Sequence, residues 1–482
     1  MHDPDLDIPS LARIHRLASE RVAQRCAVAP SPALADRIKD VVARLDQLDE
    51  VRSVGAGAAI VQPRHPGFND GLIIPGSRFP LGTSIEAVRS AASQRAPLHG
   101  TLRVAVVLVD FDDRPMTADA DHFDDLFFSE GVLPDGSVRE YFTEVTNGLV
   151  ELTGEVIGPL RLPRDLATYA NGRSGIGTSL PNARTMALDA AVSADPGIDF
   201  APYDNDDDGF VDAYVVVHAG SGAEVTGSVD DIWSHKWVLP AEYRTDTTSI
   251  FAYLTVPEDA RIGVCAHELG HLLFGFPDLY DTDNTSEGIG AWCLMAGGSW
   301  GGGGDRPTHP SAWCKVQQGW VMVDNVTTDG PLTIADVKDS HTVHRLWRDG
   351  EVGKEYFLVE NRQADRRDAS LPGGGLLIWH VDDAVPDNTN ETHYRVGLEQ
   401  ADGAMDLERN ANRGDDGDCW PGTAVRRSFT ADSTPGSRSH GGIDTGVRVT
   451  AISDPGPVMT ADVQVHGDQV QPDDPDGLPT TG

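Results

Sequence analysis

The stretch Cys265-Ala-His-Glu-Leu-Gly-His-Leu-Leu-Phe-Gly-Phe-Pro-Asp-Leu-Tyr-Asp281 constrains this chain more than any other. On a helix, His267 and His271 stand one turn apart on the same face, with Glu268 beside them. Two imidazoles then reach one ion while Glu268 points at its open position, the arrangement of a catalytic zinc site. Gly275 permits a sharp backbone turn, after which Asp278 is the candidate third ligand. Asp281 is the reserve candidate and His309 a more distant one.

An HExxH motif also arises by chance, and the plain alternative is an amphipathic helix with two half-buried histidines. The surroundings argue against it. Pro257, followed by Glu258 and Asp259, predicts a helix start, because proline suits a first turn and acidic groups favour the positive end of the dipole. Downstream, Trp292-Cys-Leu-Met295-Ala-Gly-Gly-Ser-Trp300 resembles the Met-turn beneath the zinc of metzincin-type proteases. Met295 would form an apolar floor under the ligands.

At 482 residues the chain is long enough for two to four folded units, and an apolar fraction of 39% is enough for real cores. Its formal net charge of −37 disfavours nucleic acid and anionic membranes as partners. No apolar run is long enough to span a bilayer, and Met1-His-Asp-Pro-Asp lacks the pattern of a secretory signal. Cys26, Cys265, Cys293, Cys314 and Cys419 form no CxxC pair and no dense disulfide framework.

The pattern along the chain predicts an α+β protein in four parts: a helical leader and linker over 1–95, an α/β catalytic domain over 96–325, a β-rich, sandwich-like domain over 326–467, and an acidic disordered tail over 468–482. Leu34, Ile38, Val41, Leu45 and Leu48 mark one helical face in the leader, followed by a Gly- and Pro-rich link over 54–81. Strands are expected over 102–110, 149–156 and 214–218. Ser137-Val-Arg-Glu140 forms a capping box, and Asn182 caps a helix reaching Ala194. From Pro331 short strands predominate, over 332–334, 343–347, 356–359, 376–380, 396–399, 447–452 and 458–465.

HELGH with Gly275-Phe-Pro-Asp278-Leu-Tyr-Asp281, Met295 with Gly-Ser-Trp300, and Pro307-Thr-His-Pro-Ser-Ala-Trp313 together resemble the immune inhibitor A family of zinc metallopeptidases. Weaker matches are His218-Ala-Gly220, Ile232-Trp-Ser-His235, Glu360-Asn-Arg362, Leu377-Ile-Trp-His380 and Leu398-Glu-Gln-Ala-Asp402, so the resemblance runs from about Val104 to Val465. It implies a secreted endopeptidase, acting on proteins or peptides, with a metzincin-like catalytic domain. One departure stands out. The family pattern is HExxHxxGxxD, whereas here Phe274 takes the glycine position and Gly275 and Asp278 each come one residue later.

The expected chemistry follows from the site. Three ligands leave one zinc position for water; Glu268, as general base, takes that water's proton and passes it to the leaving amine. Tyr280 and His309 are the candidates for stabilising the oxyanion. A rival reading is a catalytically weak, surface-associated binding protein on a metalloprotease-like fold, its turnover lost through the inserted Phe274.

Asp204-Asn-Asp206-Asp-Asp208-Gly-Phe-Val-Asp212 places carboxylates at alternate positions before a glycine, which predicts calcium. For Asp415-Asp-Gly-Asp418 a solvated acidic loop is expected instead. Cys26 reads as a free cysteine docked in the leader, with a zinc-blocking thiolate as the alternative. The closing Leu478-Pro-Thr-Thr-Gly482 matches the LPxTG sorting pattern without the apolar segment and basic tail of such a signal; either the chain is truncated there or, the reading preferred, the match is coincidence.

Overall fold

A computed structural model describes residues 28–46 and 68–467. Cys26, Leu48, residues 54–67 of the link and the 468–482 tail lie outside them. The leader helix α1 (Pro32–Asp46) is present, with Leu34 buried. Five strands, β1 (Gly100–Asp110), β2 (Val150–Arg161), β3 (Tyr214–His218), β4 (His235–Arg244) and β5 (Ser249–Pro257), form the first sheet in the order β2-β1-β3-β5-β4. All neighbours are parallel except β4 with β5. Parallel pairs require crossovers. α2 (Ala120–Phe128) and α3 (Val138–Val145) supply them between β1 and β2, and α4 (Ala183–Ala194) between β2 and β3.

Local chemistry explains the helix starts. Ser137 and Glu140 make both capping-box bonds, and Asn182 accepts from the Arg184 amide. The start expected at Pro257 is corrected. Pro257 closes β5, and the helix α5 (Ile262–Phe274) begins after Arg261. Glu258 instead accepts the amides of Thr117, Ala118 and Gly220, tying two loops to the strand end.

The second sheet runs β11-β10-β9-β8-β6, from β6 (Met322–Val326), β8 (Thr342–Trp347), β9 (Glu355–Arg362), β10 (Gly375–Asp382) and β11 (Val396–Leu398). A third joins β7 (Gly330–Ala335), β12 (Arg448–Thr450) and β13 (Val458–Gln464). Alternation along β9 and β10 separates two cores. Leu358, Leu377 and Trp379 join the core of the first sheet, whereas Phe357, Val359, Leu376 and Ile378 face Met459 and Val463 of the third. The middle sheet is therefore apolar on both faces, which accounts for its unbroken hydrophobic runs.

His380 on β10 lies between Glu355 and Glu399, 3.0 Å from each. Its ring stacks on His440 at 4.1 Å, and His440 stacks on His393, which bonds Asp382. Burial opposes the His380 charge, but the two carboxylates raise it to about 9. A raised histidine stabilises the fold fully below its ordinary value of 6.5, and that contribution is lost as pH rises through about 9. The stability gap between wild type and His380→Gln is expected to reach about 3 kcal/mol in mild acid and to close towards pH ~9. Denaturant unfolding across that range checks it.

Candidate metal centre

All of α5 is buried, so its histidines sit in a core helix and not on a half-exposed face. The helix ends at Gly275, whose φ of 64° suits a residue without Cβ, and whose amide reaches the carbonyls of Gly270 and His271. The chain then doubles back and returns Asp278. Asp278 Oδ1 lies 3.1 Å from His267 Nε2 and 3.2 Å from His271 Nε2, and the two Nε2 atoms are 3.1 Å apart. Three atoms able to ligate a metal thus converge from two imidazoles and a carboxylate. Their other ring nitrogens are fixed by main chain, His267 Nδ1 against Leu294 O at 2.9 Å and His271 Nδ1 against Phe276 O at 2.5 Å. Such contacts select the tautomer that leaves Nε2 free for a metal. Burial works against the Asp278 charge, but His271 and His267 hold its carboxyl well below the usual range.

Glu268 is fully buried, and neither oxygen has a hydrogen-bond partner of good geometry among the described residues. Burial raises its carboxyl to about 8, while His267 and the nearby Val28 amide pull the other way. Met295 packs directly against the helix, since a Cβ added at Gly270 would lie 2.8 Å from its Sδ.

The other candidates lie elsewhere. Asp281 groups with Asp283 and Glu391. His309 is buried with both ring nitrogens unpartnered among the described residues, 3.9 Å from Glu144. The Tyr280 ring lies 6.5 Å from that of His267. Phe274 points into an aromatic cluster with Phe142, Phe276 and Trp320, away from the three ligand atoms. Asp204, Asp206 and Asp212 converge without Asp208, and Arg95 already pairs with Asp206 and Asp212. Cys265, Cys293, Cys314 and Cys419 are free thiols.

Sequence reasoning missed what lies along β4. The Val28 amide bonds Ser234 O, Trp233 Nε1 bonds Val28 O, and Trp300 Nε1 bonds Ala29 O. Asn69 exchanges bonds with the main chain of Lys236, and its Nδ2 lies 3.5 Å from Asp278 Oδ2. Two stretches of the leader therefore run beside the site. The only hints in sequence were Trp233 and Trp300, whose indole donors need acceptors when buried.

A helix bearing two histidines and a free glutamate, with a carboxylate returning from the next loop, defines a metallopeptidase-type centre. Residues 101–324 match the model of the immune inhibitor A peptidase M6 catalytic domain, so this part of the chain is similar to that family. Over 270 residues the chain is 32% identical to the pre-pro-metalloprotease PrtV of Vibrio cholerae serotype O1 (strain M66-2), covering 45% of this chain and 29% of that protein. Over 231 residues it is 33% identical to immune inhibitor A of Bacillus thuringiensis subsp. alesti, covering 39% of this chain and 33% of that protein. The chain spans about a third or less of the length of these relatives.

Asp278→Asn is expected to lose most bound zinc on dialysis against a mild chelator, and Asp281→Asn to keep about one ion per chain. Metal analysis by mass spectrometry of the two variants distinguishes them.

Proposed function

We propose that the chain is a zinc-dependent endopeptidase that hydrolyses peptide bonds in proteins, with Glu268 as general base and His267, His271 and Asp278 as the zinc ligands. The observation that carries this reading is the convergence of those three atoms beside a buried glutamate whose oxygens make no hydrogen bond of good geometry among the described residues. Bound there, zinc supplies Lewis-acid polarisation of the scissile carbonyl and acidifies water. Glu268 takes the proton of the attacking water and delivers it to the departing amine as the C–N bond breaks. Leu294 O and Phe276 O keep both imidazoles aimed, and Met295 closes the floor.

Substrate binds in extended form beside β4, on the side where the leader now lies. The leader stretches at 28–31 and 68–72 cover that region and support a restraining role for the leader; a metzincin-like catalytic unit and a sandwich-like β-rich domain belong to the same reading. Action outside the cell belongs to the same reading, and no helix among the described residues is long and apolar enough to cross a membrane. Calcium at Asp204, Asp206 and Asp212 is also part of it, with Arg95 as the cation it would displace. The binding-protein alternative loses its main support, because Phe274 lies in the aromatic cluster and leaves Asp278 in place.

Zinc-loaded wild type is expected to cleave unfolded casein after a lag that disappears once the leader is cut away. Glu268→Ala should keep its zinc and lose roughly 10²–10⁴-fold in rate. A processed, zinc-replete wild type without casein cleavage would sink the proposal.

A further inference from the structure

The loop after β11 contains a group that the expected solvated turn does not explain. Asp402, Asp415 and Asp418 offer carboxylate oxygens within 4.8 Å of one another. Asp418 is only 1% exposed, which corrects the sequence expectation for this segment. Its Oδ2 accepts from Trp292 Nε1 at 3.1 Å and from the Asp415 amide at 3.0 Å. Oδ1 is buried and has no hydrogen-bond partner among the described residues.

No basic side chain pairs with any of the three among the described residues, whereas several other buried carboxylates do have one. Asp368 pairs with Arg362, Asp336 with Lys338, and Glu360 lies 3.5 Å from Lys315. A buried carboxyl with a free oxygen and two like charges beside it is costly to ionise unless a cation offsets it. The remaining bonds shape a pocket for one. The Ala404 amide holds Asp402 Oδ1, the Gly417 amide holds Asp415 Oδ1, and Asn412 Nδ2 holds Asp415 Oδ2. Gly417 leaves room at the centre, since a Cβ there would sit 2.7 Å from Asp402 Oδ2 and 2.9 Å from Asp415 Oδ1.

We infer that Asp402, Asp415 and Asp418 bind a calcium ion that clamps the β-rich domain onto the Met-turn. An all-oxygen donor set selects a hard divalent cation, and an irregular loop with room for several further oxygens favours calcium over the stricter octahedral demand of magnesium. The clamp acts through Trp292. Its indole bonds Asp418, its carbonyl accepts from Arg362 Nη1 at 2.8 Å, and two residues on, Leu294 O orients His267.

The test uses the full chain in a Glu268→Ala background, which prevents self-cleavage, with Asp418→Asn and, separately, Asp206→Asn added. Melting is followed in EGTA, in calcium and in magnesium, together with terbium luminescence excited through tryptophan. Calcium is expected to raise the melting temperature of the background and of Asp206→Asn, and most of that rise is lost in Asp418→Asn. Without calcium, Asp418→Asn melts at or above the background, since the uncompensated buried charge is gone. Terbium emission sensitised by Trp292 disappears in Asp418→Asn alone. The inference is overturned by a calcium shift and terbium emission unchanged in Asp418→Asn. It is equally overturned if Asp418→Asn is destabilised by the same amount with and without calcium, which would make Asp418 only an acceptor for Trp292. A magnesium shift equal to that of calcium overturns the choice of ion.

Discussion

The site depends first on two main-chain carbonyls. Leu294 O and Phe276 O take the inner nitrogens of His267 and His271, so both outer nitrogens point at the same space as Asp278 Oδ1. A histidine whose second nitrogen is unheld can rotate or switch tautomer, and its metal affinity falls accordingly. Phe276 is placed by the turn at Gly275. Leu294 is placed by the turn around Met295, so a segment that contributes none of the three converging atoms still decides where they point.

The segment around Met295 is itself held by the second sheet. Arg362, fully buried on β9, bonds Trp292 O and His309 O and pairs with Asp368. Asp368 also accepts the His309 amide, so one buried ion pair anchors both the Trp292 and the His309 segments. Burial disfavours each charge alone, and the pair is tolerated because nearly every donor is matched by an acceptor. Removing either partner would leave the other charge stranded in the core.

Much of the centre was legible in sequence because its signals are local. The HExxH spacing, the glycine that turns the helix and the Ser137 and Asn182 caps each lie within a few residues. Asp278 comes beside the two histidines despite the shifted spacing, because the added residue, Phe274, is absorbed as the last residue of α5. Strands β4 and β5 carry a more ambiguous signal: the run 250–256 is apolar enough for a strand, but the proline after it also suits a helix start. Main-chain acceptors such as Leu294 O leave no side-chain signature, and the bond between Trp292 and Asp418 joins residues 126 apart. Asp418 looked like part of a surface turn because composition alone cannot distinguish a solvated acidic loop from one folded inward.

These links also bear on where the catalytic unit ends. The family match stops at residue 324, yet Leu377, Trp379, Val381, Val396 and Leu398 belong to the same apolar core as α5. Ending the chain there would uncover that face of the core and remove Arg362, Asp368 and Asp418 from around Trp292. Each apolar side chain of that size contributes about 1.5–3 kcal/mol when buried, so the loss of several would rival the whole stability of a typical domain. The second sheet is thus part of the scaffold that aims the histidines, and the apolar core around α5 extends at least through β11.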